Sequence, residues 1–252
     1  MANKRRKSPI QVDRTEPHLC DPKLRFSILR MTSFFSNLSE SDLISVNQLF
    51  HEKGFEAGEY IYFSEDPAQH LYIIAEGRVK LLRHTGGGKD VLLELLVPGE
   101  FFGSLSAQDD AIYPDTAQAQ TAVCALTISS DDFRKILKNY PPVTIKVLDE
   151  ISSRLQSAHE TIRQLSGQSA EKKISYILLK LAQKLGQPRQ DGLLIQTPLA
   201  RDDLAEMTAT TPETASRVIS QFQKEGWIAT GRQWIAIQND AALRSLLDQD
   251  NL

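Results

Sequence analysis

The sequence predicts an α+β chain: a block of short strands, one long helix, and a compact C-terminal domain of helices closed by a hairpin. Three observations predict it. Between residues 54 and 128, short apolar runs alternate with glycine turns roughly every ten residues, the texture of a sandwich, roll or barrel. From 142 to 166, apolar residues recur at steps of three and four, the mark of a long helix with a narrow seam. From 199 to 225, two short helical patterns flank MTATT, and WIATGRQWIAIQ follows as two strands about Gly231.

The chain has 252 residues, 41% apolar and 24% charged, which suits one large or two ordinary globular domains. No apolar run approaches the roughly 18 residues of a membrane span. The start, MANKRRKSP, is basic but lacks an apolar segment after it, so a secretory signal is not expected. It reads as a frayed tail or as a segment touching nucleic acid. The two cysteines, Cys20 and Cys124, lie far apart, which fits a cytoplasmic protein with reduced thiols. A net charge of -3 confines any contact with DNA to a local patch.

Residues 1–27 are polar, hold Pro9, Pro17 and Pro22, and read as an irregular tail. In 28–52, Ser39 offers a cap, and Leu43, Val46, Leu49 and Phe50 fall at helical spacing. The strand block turns at Gly58, Gly77 and Pro98-Gly99 and holds Gly86-Gly87-Gly88. A short helical piece, DDFRKILKNYP, leads into the long helix. Its seam is Val147, Ile151, Leu155, Ala158, Ile162 and Leu165. Such a seam packs on a copy of itself or on its own domain. Gly167 marks a hinge. The next helix carries Ile174, Ile177, Leu178, Leu181, Ala182 and Leu185 on one face and ends at Gly186-Gln-Pro188. LLIQTP reads as a short strand. Residues 240–252 read as a small polar helix or a frayed end.

The stretch TPETASRV, 211–218, carries the chemistry. Leu199, Leu204 and Ala205 face inward on the first helix of the pair, and Ala215, Val218, Ile219 and Phe222 on the second. Thr211 suits a cap and Pro212 a first turn. Glu213, Ser216 and Arg217 then share an outer face at i, i+3 and i+4, where a helix-turn-helix meets base edges. Arginine suits guanine O6 and N7, glutamate the cytosine amine, and serine a base or a thymine methyl. The plainer reading is a Glu213–Arg217 surface pair. The hairpin behind the helix favours DNA.

The order of parts resembles the Crp/Fnr transcription regulators over roughly 28–238. EDPAQHLYIIAEGRVKL resembles the roll's hairpin, with Glu76-Gly77 at its turn. VPGEFFGSLS resembles the start of the effector-pocket segment, and RDDLAEMTATTPETASRVISQFQKEGWI the DNA-binding signature. The resemblance implies a double-stranded β-roll over 28–140, a dimerisation helix over 141–167, a winged helix-turn-helix over 168–239, and tails at 1–27 and 240–252. It implies a homodimer on palindromic double-stranded DNA, with RNA polymerase as a further partner. The ETASR spacing is similar to the Fnr branch and implies that Glu213, Ser216 and Arg217 read TTGA-type half-sites. Pro212 stands where the cyclic-AMP branch has arginine, so the outer bases of the half-site can differ. Thr211, Lys172, Lys173, Arg201, Lys224 and Arg232 are the candidate phosphate contacts.

The resemblance also locates an effector pocket at Gly103, Ser104, Leu105, Asp115 and Thr116. Gly103-Ser104-Leu105 lacks the ribose-binding glutamate, and Asp115-Thr116 replaces the phosphate-binding arginine. Cyclic AMP is therefore not expected. An iron–sulfur cluster is not expected either, because Cys20 and Cys124 cannot supply four ligands. Both remain redox candidates. Haem stays open, with His70 and His84 near the roll hairpin as axial candidates; so do a small apolar ligand and no ligand at all. The rival class is a cupin-like binding protein or enzyme with a helical appendage. Such proteins hold a metal on histidines, and no His-x-His pair occurs.

Overall fold

A computed structural model describes residues 9, 22–85, 90–105, 111–190 and 192–248. The chain divides into two compact units, and the division falls between Ser157 and Ala158.

The first unit begins with α1 (Pro22–Met31) and α2 (Glu40–Asn47). Eight strands follow: β1 (His51–Phe55), β2 (Tyr60–Tyr62), β3 (His70–Glu76), β4 (Val79–His84), β5 (Asp90–Leu96), β6 (Phe101–Gly103), β7 (Thr116–Ala119) and β8 (Val123–Ser129). They form two antiparallel four-stranded sheets, ordered β1-β8-β3-β6 and β2-β7-β4-β5. Then come α3 (Ser130–Asn139) and the start of α4 (Pro141–Leu165).

The central strands of the first sheet are covered on both faces, so β3 and β8 read as nearly continuous apolar runs rather than alternating ones. Tyr72, Ile74, Val123 and Ala125 point between the sheets, against Val79, Leu96, Phe102 and Ala117. Leu71, Ile73, Cys124, Leu126 and Ile128 point the other way, onto Leu29, Phe34, Phe35, Phe133 and Ile136. Gly77 turns β3 into β4 with φ near +88°, and a Cβ there would run into the Ala122 carbonyl. That position has no room for another residue.

Two expectations need correction here. The tail expected to be irregular over 1–27 gives way to helix at Pro22. The apolar side chains Leu24, Phe26, Ile28 and Leu29 have a core to join, and Arg25 fixes the helix in place. Its guanidinium donates to Asn47 and Phe50 carbonyls at 2.8 Å and to Glu52 at 3.0 Å. The seam of α4 also shifts register. Val147 is buried with Val143 in the unit's own core, whereas Leu148, one residue on, is 59% exposed. Leu148, Ile151, Leu155, Ala158, Ile162 and Leu165 then run at steps of three, four, three, four, three, a closer heptad than the one starting at Val147. Below the seam, Arg154 stacks its guanidinium over Phe101 at 3.8 Å, which ties α4 to the roll.

The second unit contains the end of α4, α5 (Ala170–Leu185), β9 (Gly186–Arg189), β10 (Gly192–Ile195), α6 (Arg201–Thr208), α7 (Pro212–Lys224), β11 (Ile228–Gly231), β12 (Trp234–Ile237) and α8 (Asp240–Asp248). Gly167 takes φ near +70° at the break between α4 and α5. Ser169 caps α5, its hydroxyl accepting from Lys172 N. Its apolar face, with Ile174, Ile177, Leu178 and Leu181, is buried. The strands pair antiparallel in the order β11-β12-β10-β9. Gly186-Gln-Pro188, expected only to end a helix, also forms edge strand β9, where a proline removes no ladder bond. The wing turns at Arg232-Gln233, not at Gly231, which pairs with Trp234; Gln233 takes φ near +61°. The described part of the polar tail, Asp240–Asp248, is helix α8, anchored by fully buried Leu243.

Candidate nucleic-acid interface

The helix pair is built locally. Asp203 caps α6 by accepting from Ala200 N at 2.8 Å. Thr208 closes it, buried and donating back to the Leu204 carbonyl at 2.6 Å. Ala209 then turns the chain in the left-handed region, with φ near +50°. Thr211 caps α7 by accepting from Thr214 N at 3.2 Å, and Pro212 occupies the first turn. Ala215, Val218, Ile219 and Phe222 are each fully buried, so the opposite face of α7 is forced outward.

That outer face carries Glu213 and Arg217, both exposed, and half-buried Ser216, whose carbonyl accepts from Ser220 Oγ. Arg217 is 64% exposed, and its Nη1 stands 3.5 Å from Oε1 of Glu171 on α5. The structure thus gives Arg217 an ion-pair partner that the sequence did not suggest. Among the candidate phosphate contacts, Thr211, Lys224 and Arg232 are exposed, and Lys172 and Lys173 are half-buried at the start of α5. Arg201 is half-buried, and desolvation lowers its pKa. It approaches Thr230 Oγ1 on the wing at 3.5 Å, and Thr230 donates to Gln223 of α7 at 3.0 Å. Arg201, Thr230 and Gln223 therefore link α6, the wing and α7. Sequence periodicity could not have found Thr230 or Gln223, because neither lies on an apolar stripe. The N-terminus of α7 adds the positive end of a helix dipole to this face.

Two family models match the chain: a cyclic nucleotide-binding domain over residues 52–140 and a Crp-like helix-turn-helix domain over 172–246. The chain belongs to the Crp/Fnr family. It is a DNA-binding transcription regulator. A Crp/Fnr relative, the probable transcriptional regulator flp of Lacticaseibacillus casei, is 29% identical, with 84% of this chain and 94% of that protein covered. The cyclic AMP receptor protein of Thermus thermophilus is 27% identical, covering 86% and 98%. The fold is shared with FixK2 from Bradyrhizobium japonicum, at TM-score 0.70 and 21% identity, covering 78% of this chain and 96% of that one. These matches set aside the cupin-like alternative.

In this Crp/Fnr chain the residues expected to line the roll's effector pocket are engaged with the protein itself. Ser104 is buried, and its N–H donates to the His70 carbonyl. Gly103 takes φ near +95°, and a Cβ there would press on that same carbonyl. Thr116 is buried and accepts from Ser64 N at 3.0 Å. Leu105 is partly buried against the helix-side core. Asp115 accepts from the Tyr62 hydroxyl at 3.1 Å, and Tyr62 stacks on Tyr113 with ring centres 3.7 Å apart. Phe102 stacks on Tyr72 alongside. Burial raises Tyr62 and Tyr72 well above the usual tyrosine range, so both stay protonated donors.

Burial also raises the Asp115 carboxyl above its ordinary value, while the Tyr62 hydroxyl and Arg83 pull it back. Its neutral form lacks the cation a cyclic phosphate needs, and its charged form repels one. The folded state holds the proton more tightly, so stability falls as pH climbs from the unfolded aspartate value, about 3.9, through the folded one. Asp115→Asn is expected to flatten that fall, checked by melting midpoints across a pH series.

Cys124 is buried in β8. Cys20 and Gly86-Gly87-Gly88 lie outside the described residues. His84 is tied to Asp90, Nδ1 to Oδ1 at 2.5 Å, and His70 is partly buried, which lowers its pKa. Among the described residues no cluster of His, Cys, Asp or Glu is placed to hold a metal ion, and no helix is long and apolar enough to cross a membrane.

Proposed function

We propose that this regulator acts as a homodimer on a palindromic site with TTGA-type half-sites, each α7 reading one half. The observation that carries the reading is the outer face of α7. It holds Glu213, Ser216 and Arg217 beside a helix N-terminus, on a helix whose other face is wholly buried. Arg217 serves a guanine, Glu213 a cytosine amine, and Ser216 a neighbouring base. Thr211, Lys172, Lys173, Lys224 and Arg232 take phosphates. Arg201 does so too, while also holding the wing to α7. The α4 seam, exposed from Leu148 to Ile162 and ending at half-buried Leu165, joins the two chains.

Control runs through the roll by population shift. A signal that prefers one arrangement of the α4 pair moves the dimer toward or away from the DNA-competent state. The signal is a redox change, a haem-bound gas or a small molecule, and not cyclic AMP. Activation through RNA polymerase in the cytoplasm fits this design.

Selection from a pool of randomised duplexes tests the reading. The full-length protein is expected to recover a two-fold symmetric motif with a guanine in each half, and to lose affinity steeply with added salt. Recovery of a motif without symmetry, or of none, refutes it.

A further inference from the structure

Glu171 and Arg217 are brought together by the packing of α5 against α7, not by sequence neighbourhood. Glu171 lies in the first turn of α5, which Ser169 caps, and its side chain is 27% exposed against 64% for Arg217. The carboxylate is therefore the better-fixed partner. One oxygen meets one nitrogen, Oε1 to Nη1, at 3.5 Å. A guanidinium has five N–H donors in a planar fork, so a single carboxylate oxygen leaves donors on another edge free.

We propose that Glu171 is a positioning residue that sets DNA specificity: it holds Arg217 by one edge of the guanidinium and leaves another edge for a base. The proposal rests on Arg217 being a base-reading residue. On an operator, Arg217 keeps its carboxylate and gains a guanine. On any other duplex, the unheld guanidinium would swing to the nearest phosphate, a contact that carries no sequence information. The ion pair makes that swing costly. Glu171 thus weakens sequence-independent binding more than operator binding, and specificity is the difference between the two.

The test uses the full-length protein with Glu171→Gln, alone and combined with Arg217→Ala. The probes are the duplex recovered by selection and a shuffled duplex of equal length. Glu171→Gln is expected to raise affinity for the shuffled duplex about three- to tenfold, within the range of two exposed ion pairs, one in each chain of the dimer. Affinity for the recovered duplex changes less than about twofold, so the selectivity ratio falls. The salt dependence on the shuffled duplex steepens by about one phosphate contact per chain. In the Arg217→Ala background, Glu171→Gln leaves shuffled-duplex affinity unchanged. A ratio that stays at the wild-type level overturns the proposal. So does an equal rise in the Arg217→Ala background, since that is plain repulsion between a carboxylate and DNA. If wild-type protein prefers no duplex over the shuffled one, the reading of α7 fails and this proposal with it.

Discussion

Arg217→Ala is expected to leave a folded, associated protein that no longer tells its operator from other DNA. One bidentate arginine–guanine contact discriminates by about 1–3 kcal/mol, and a dimer has two of them. The expected loss is therefore about 2–6 kcal/mol, set against a typical gap of about 4–10 kcal/mol between specific and non-specific binding. The side chain is 64% exposed, so the fold should hardly notice its removal. Competition binding with operator and shuffled duplex, alongside melting and sedimentation, separates the two effects. Unchanged selectivity would remove Arg217 from the readout.

The second large effect is expected in α4. Leu155 and Ile162 are 55% and 62% exposed in the single chain, so Leu155→Glu with Ile162→Glu should fold normally. If the seam joins two copies, the double variant buries four carboxylates in an apolar interface. Each costs several kcal/mol to desolvate without a partner, far more than such an interface can absorb. The expected product is a monomer that binds a single half-site weakly and gains nothing from a palindrome. Val147→Glu supplies the contrast. Val147 is buried in the roll's own core, so that change should unfold the first unit rather than release a stable monomer. Sedimentation showing intact dimers of the double variant would move the interface elsewhere.

Periodic features of this chain were legible in its sequence. The cap at Thr211, the buried stripe Ala215-Val218-Ile219-Phe222 and the glycine turns at Gly58, Gly77 and Gly99 all appear where spacing placed them. The misses share one cause: they depend on partners distant in the chain. Val147 and Leu148 are both apolar, and only the roll's core decides which of them turns inward. The start of α1 hides among prolines, and its helix is justified by Arg25 reaching α2 and β1. Edge strand β9 exists because β10 lies beside it, since GQPR has no strand character of its own. The stacking of Tyr62 on Tyr113 and the Glu171–Arg217 pair bring together residues that no local pattern connects. Asp115 was singled out by its place in the sequence, but its bond to Tyr62 was not.

The account depends on α7 lying in the major groove with Arg217 against a guanine. The most direct measurement replaces the half-site guanines by 7-deazaguanine, which removes the N7 acceptor and leaves base pairing intact. Wild-type protein should lose about tenfold or more in affinity per dimer, the scale of one lost acceptor in each half-site. The Arg217→Ala protein should bind both duplexes equally. Equal binding of both duplexes by the wild-type protein would contradict the account.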